Sequence, residues 1–80
     1  PSLQQHNKLL IKYIENFNSA AEHNNLGSLY LREHKCADAV IEFEKAYSLY
    51  KSLEEYKLMM ETLVSIGAAY VENSELNWIK

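Results

Sequence analysis

Residues 25–46, NLGSLYLREHKCADAVIEFEKA, place a glycine inside a stretch that otherwise reads as helix, then a short polar break, then alanines and aromatics at helical spacing. A glycine within a helix costs roughly 1 kcal/mol against alanine, so Gly27 predicts compensation by the close approach of a neighbouring helix. Beyond EHK (33–35), Ala39, Val40, Phe43 and Ala46 recur on one face of a second helical segment. Ala39 and Ala46 are small enough to form the other side of the contact, with Leu26, Tyr30 and Phe43 filling the space around it. The stretch reads as a helical hairpin, and the expected fold is all-α.

Working outward, Leu9, Leu10, Tyr13, Ile14 and Phe17 share one helix face and predict a leading helix over about residues 3–17, with no strong start signal. The pattern breaks over residues 16–19. Ser19 followed by Glu22 is a capping-box signature for a second helix through about Glu33, its apolar side carrying Leu26, Tyr30 and Leu29 or Leu31. The helix after EHK continues through Tyr47, Leu49, Tyr50 and Leu53. Ser52 with Glu55 is a further capping-box candidate, predicting a helix from about Glu54 through Met59, Leu63, Ile66 and Tyr70 to Glu72. ENSELN (72–77) reads as a loop, with Trp78 and Ile79 opening another element.

Composition bounds the function. The chain has 80 residues, a net charge of −3, two glycines, one proline and one cysteine. That is at most one domain of modest stability, and the chain could also be a segment of something longer. Lys8, Lys12, Arg32, Lys35, Lys45, Lys51, Lys57 and Lys80 are scattered among acids, so no face gathers the positive field that a phosphate backbone requires, which argues against nucleic acid. A single cysteine excludes an internal disulfide framework and fits a reducing, cytoplasmic setting. No apolar run is long enough for membrane insertion, and no signal-like segment opens the chain.

Two frames answer each other: NNLGSLYLRE (24–33) and VSIGAAYVEN (64–73) set their glycines forty residues apart, each with an aliphatic residue before and a tyrosine three positions after. A forty-residue repeat is the economical reading. Leu26, Gly27, Tyr30, Ala39, Phe43 and Ala46 resemble the tetratricopeptide repeat (TPR) pattern of aliphatic, glycine, tyrosine, alanine, aromatic and alanine. Ile66, Gly67 and Tyr70 begin the pattern again, with Ile79 where the next alanine is expected. The usual bulky position of the first helix falls on His23 and the usual helix-ending proline on Lys51. The spacing exceeds the family's usual one of about 34 residues and is similar to that of TPR proteins with extended helices, such as bacterial peptide-pheromone regulators, kinesin light chains and spindle-orientation adaptors.

The resemblance implies antiparallel helix pairs in a right-handed solenoid fragment: a leading helix (3–17), a first complete repeat (20–53) and a truncated second repeat (55–80) within one domain (1–80). It further implies a concave groove lined by the first helix of each unit, which places Ala21, Asn24, Ser28, Leu31 and Arg32 near Glu61, Val64, Ala68, Val71 and Glu72. Asn24 and Asn25 are the best polar candidates, because an amide can donate and accept toward a peptide backbone at once. In TPR domains that clamp a terminal carboxylate, the basic positions correspond to Ala21, Asn24, Glu61 and Ser65 here, which carry no positive charge. Leu31, Val64, Val71, Glu61 and Glu72 suit an apolar, basic peptide or helix instead. The function implied is a protein-interaction scaffold. Its rivals are a purely structural segment of a longer solenoid and a module that self-associates into a homo-oligomer through exposed solenoid ends.

Catalysis finds little support. His34 and Cys36 lack a third ligand at metal-binding spacing, so Cys36 reads as a small packed residue at a helix start. His23 beside Glu22 would act as a base only with a nucleophile that spacing does not reveal. There is no glycine-rich phosphate loop, and no cofactor is expected. The tyrosines at 13, 30, 47, 50, 56 and 70 have helical spacing, which predicts Tyr30 and Tyr70 as core residues and leaves Tyr50, Tyr56 and Trp78 near an open solenoid end.

Overall fold

The computed structural model describes the backbone of residues 2–79 and the side chains of residues 2–75. Three helices follow one another: α1 (Leu3–Arg32), α2 (Cys36–Ser52) and α3 (Tyr56–Ile79). Among the described residues there is no strand. The all-α expectation therefore holds. The helices lie side by side in a thin layer of 60 × 19 × 12 Å, with α2 in the centre packed on both neighbours.

Both turns solve the same backbone problem with the same hydrogen bonds, twenty residues apart. His34 (φ 63°) and Glu54 (φ 59°) take left-handed conformations. Lys35 N–H donates to the Tyr30 carbonyl at 2.9 Å, and Glu55 N–H donates to the Tyr50 carbonyl at 2.9 Å. One position earlier, His34 N–H donates to Leu31 at 3.0 Å and Glu54 N–H to Lys51 at 3.1 Å. This is the Schellman closure, which satisfies helix-end carbonyls through a left-handed residue. Neither turn uses the glycine that such a position favours.

The predicted break at residues 16–19 is absent: α1 runs unbroken through it. One twenty-residue step back from His34 falls Ile14, and a β-branched side chain is a poor occupant of the left-handed region. Phe17 and Ala20 also hold this stretch onto α2, with Ala20 fully buried and Phe17 meeting Tyr50 edge-on at 5.9 Å between ring centroids. Ser19 and Glu22 accordingly lie within α1 rather than forming a capping box. The box that does form is at Ser2. Its hydroxyl accepts from Gln5 N–H at 3.2 Å while its own N–H donates to Gln5 Oε1 at 3.0 Å, supplying the start signal that the sequence reading missed.

Ser52 also departs from expectation. Its hydroxyl turns back to donate to the Leu49 carbonyl at 2.8 Å, ending α2 rather than starting α3. Helix α3 continues through ENSELN, where a loop was expected. The expectations for the side chains of Trp78 and Ile79 lie outside the described residues.

The core is narrow and built on small residues. Ala20, Ala39, Ala46 and Ala69 are fully buried, which lets the three helices approach closely, and Phe43 is the largest fully buried side chain. Cys36 is buried at the start of α2, as expected. Tyr50 is buried and Tyr30 half-buried, whereas Tyr70, expected in the core, is 56% exposed on the outer side of α3.

Candidate functional site

Helices α1 and α3 run parallel on either side of α2, leaving a groove between them. The side chain of α2 that reaches its floor is Phe43, positioned by Gly27. A Cβ on Gly27 would stand 2.7 Å from two Phe43 ring carbons, closer than carbon atoms approach without displacement. The ring occupies the space that the missing side chain leaves. The compensation predicted for Gly27 is thus a phenylalanine ring packed flush against α1, flanked along α2 by Ala39 and Ala46.

Over this floor the walls are Ser28, Leu31 and Arg32 of α1 and Val64, Ser65, Ala68 and Glu72 of α3, enclosing about 490 Å³. Ser65 also borders a smaller recess of about 180 Å³ lined by Asn24, Tyr50, Leu58, Glu61 and Thr62, so the groove continues toward the opposite end of α2. Of the ten residues placed near the groove by resemblance, eight, Asn24, Ser28, Leu31, Arg32, Glu61, Val64, Ala68 and Glu72, line one hollow or the other, and Ala21 lines neither. Asn25 and Val71 are exposed and line neither. Asn25 lies on the outer side of α1 and Val71 on the outer side of α3.

The sequence reading missed the floor. Phe43 and Tyr50 project from α2, and their contribution was hidden because only the flanking helices were read for groove residues. A helical wheel of α2 carried the signal, since Phe43 falls between the buried Ala39 and Ala46 at helical spacing. His34, at the mouth, was also missed as a groove residue. Its Nδ1 lies 2.8 Å from Glu72 Oε1, joining the first turn to α3 across the groove. No local pattern announces this pair, whose partners stand 38 positions apart.

On the other side of α2, His23 Nδ1 sits 2.8 Å from Glu42 Oε1, and Lys45 Nζ donates to Glu42 Oε2 at 3.1 Å. Hydrogen bonds from His23, then from Lys45, hold the buried Glu42 carboxyl below its ordinary range despite its burial. His23 thus joins α1 to the buried carboxylate of α2. Burial and the nearby Glu72 charge push the Cys36 thiol up, disfavouring its nucleophilic form. The Tyr13 hydroxyl donates to Glu55, tying α1 to the second turn, and this bond raises the phenol's pKa.

Among the described residues, no group of three histidine, cysteine, aspartate or glutamate side chains could hold a metal ion. No described helix is long and apolar enough to cross a membrane. The groove presents an apolar floor, Leu31 on one wall and Val64 and Ala68 on the other, and hydroxyl, guanidinium and carboxylate groups along its edges. No protein-family model matches the chain, and neither a curated protein nor a solved structure does. The described residues form a small all-α domain of three helices with helical-repeat character.

Proposed function

We propose that this chain is a TPR-like protein-interaction module that receives an apolar, basic peptide or helix of a partner protein in the groove between α1 and α3. The observation that carries this reading is the convergence of Leu31, Val64 and Ala68 over Phe43, with Asn24 and Glu61 at the adjoining recess. An apolar anchor would seat on the Phe43 floor, and a basic residue would face Glu61 or Glu72. Asn24 would satisfy backbone groups along the way. The TPR-like assignment draws on the forty-residue glycine frame and on two identical turns at half that spacing.

The test is selection of peptides from a random display library on the immobilised protein, followed by fluorescence anisotropy with the selected peptides. Ala68→Trp fills the groove from an exposed position, and Glu61→Lys reverses the charge at the recess. Peptides rich in apolar and basic residues, bound at least tenfold more weakly by both variants at unchanged helicity, are the expected result. Peptides that bind both variants as tightly as the parent overturn the groove as the binding site.

A further inference from the structure

Helix α3 is apolar on two opposite sides. Leu58, Thr62 and Ala69 face α2. At about 100° per residue, Tyr56, Met60, Gly67 and Ser74 fall on the side away from α2, with Val64 and Val71 along one edge of that stripe and Leu63 and Tyr70 along the other, Tyr70 also bordering the hollow beside Cys36, Ala37, Val40 and Ile41 of α2. All eight are exposed, and the stripe contains no charged side chain. A helix that is apolar on two sides can be covered on both, and among the described residues α3 is covered on one.

The internal repeat identifies what this face resembles. On α1, Gly27 faces α2 and is covered by the Phe43 ring; on α3, the matching Gly67 has nothing within 4 Å of where a Cβ would stand. The side of α1 away from α2 carries Asn18, Glu22 and Asn25 beside Leu29, with Leu26 partly exposed at its edge, over the length that α2 covers. One edge of the layer is thus finished with polar groups and the other is built like an interface.

We infer that the α3 stripe is a dimer interface, in which α3 packs antiparallel on α3 of a second copy about a twofold axis at Gly67. Three features favour a second copy. The stripe is uncharged, so two of them meet without repulsion. The missing side chain at its centre lets two backbones approach closely where the axis passes. Lys57 and Glu75, ten positions before Gly67 and eight after it, lie on the same edge of the helix, so the antiparallel pairing sets Lys57 of each copy beside Glu75 of the other. The contact is isologous and closes at two copies. A head-to-tail contact between α3 and the apolar overhanging start of α1, where Leu9, Leu10 and Ile14 are exposed, would instead propagate into larger assemblies. Leu63, Gly67 and Tyr70 line neither hollow, so this interface can be tested apart from the groove, with which it shares Val64 at its edge.

Sedimentation equilibrium tests it. The chain is expected at twice its 9.3 kDa mass at micromolar concentration, and Leu63→Glu or Tyr70→Glu, both at exposed positions, should return it to monomer with unchanged circular dichroism. Lys57→Glu should weaken the dimer about tenfold, and adding Glu75→Lys should restore it. Gly67→Cys should form a disulfide-linked dimer on mild oxidation, while the parent, whose Cys36 is buried, should not. A parent that stays monomeric, a parent that forms species larger than a dimer, or a dimer indifferent to both glutamate substitutions overturns the proposal. A dimer lost in the charge reversal and not restored by the swap overturns its antiparallel register.

Discussion

Gly27 and Gly67 occupy matching frames forty residues apart, and their surroundings are opposite. Around Gly27 the chain has used the absent side chain: the Phe43 ring fills the space, Ala39 and Ala46 close in beside it, and α1 and α2 become one packed unit. Around Gly67 the space is open, and the apolar groups beside it face outward. The same local sequence is therefore a finished contact at one position and an available one at the other. What separates them is a bulky residue about sixteen positions downstream, on a helix folded back over the glycine. A helix glycine reports close approach only where its covering helix is present.

The strongest way to break this comparison is to remove the ring. Phe43→Ala should lower unfolding stability by about 3–5 kcal/mol, read as a shift of the urea midpoint, and a loss below about 1 kcal/mol would mean that the ring does not hold α1 to α2. The two glycines themselves should then respond with opposite signs. Gly27→Ala drives a methyl group into a buried ring and should cost about 1–3 kcal/mol. Gly67→Ala, measured on dilute chain, meets no neighbour and should gain about 0.5–1 kcal/mol from helix propensity alone. Equal responses would erase the distinction between a filled and an open site.

A smaller effect sharpens the filled side of the comparison. The Glu42 carboxyl, held below its ordinary value near 4.5 by His23 and Lys45, is ionised more readily folded than unfolded. Its contribution to stability is present above that ordinary value and is lost as the pH falls through the lower, folded value. Glu42→Gln should flatten this acid limb of the stability profile while leaving the profile above pH 5 parallel to the parent's. An unchanged acid limb would mean that another carboxylate carries it.

Much of this was legible in the sequence because it depends on local pattern. The helical hairpin at residues 25–46 and the packed Cys36 follow from spacing, whereas Ser28, Leu31, Arg32, Val64 and Ala68 were brought together only by what the TPR resemblance implies. The errors arose where a local signal competed with packing. Ser19 with Glu22 has the composition of a cap, but a cap requires a residue to leave the helix, and the burial of Ala20 with the contact of Phe17 on Tyr50 keeps the chain helical there. ENSELN contains residues that favour turns, yet none forces one. Tyr70 was placed in the core by its helical spacing, and it is exposed because among the described residues it borders only the start of α2, at the edge of α3. The pairs His23–Glu42 and His34–Glu72 join residues far apart in the chain and had no local signature at all.

The central position of α2 also governs how the molecule comes apart. Nearly all packing between distant residues passes through this one helix, so α1 and α3 support each other mainly through it, and each turn closes a short loop between neighbours in sequence. Such a chain assembles from local pairings and opens from its edges inward. Amide hydrogens should therefore exchange most slowly along α2, faster along the inner half of α1 and the start of α3, and fastest at the overhanging start of α1, whose backbone bonds have no second helix beside them. The groove and the α3 stripe, the two surfaces proposed to take a partner, thus lie on the least strongly held elements, and an occupant seated against either outer helix would tighten the molecule as it binds.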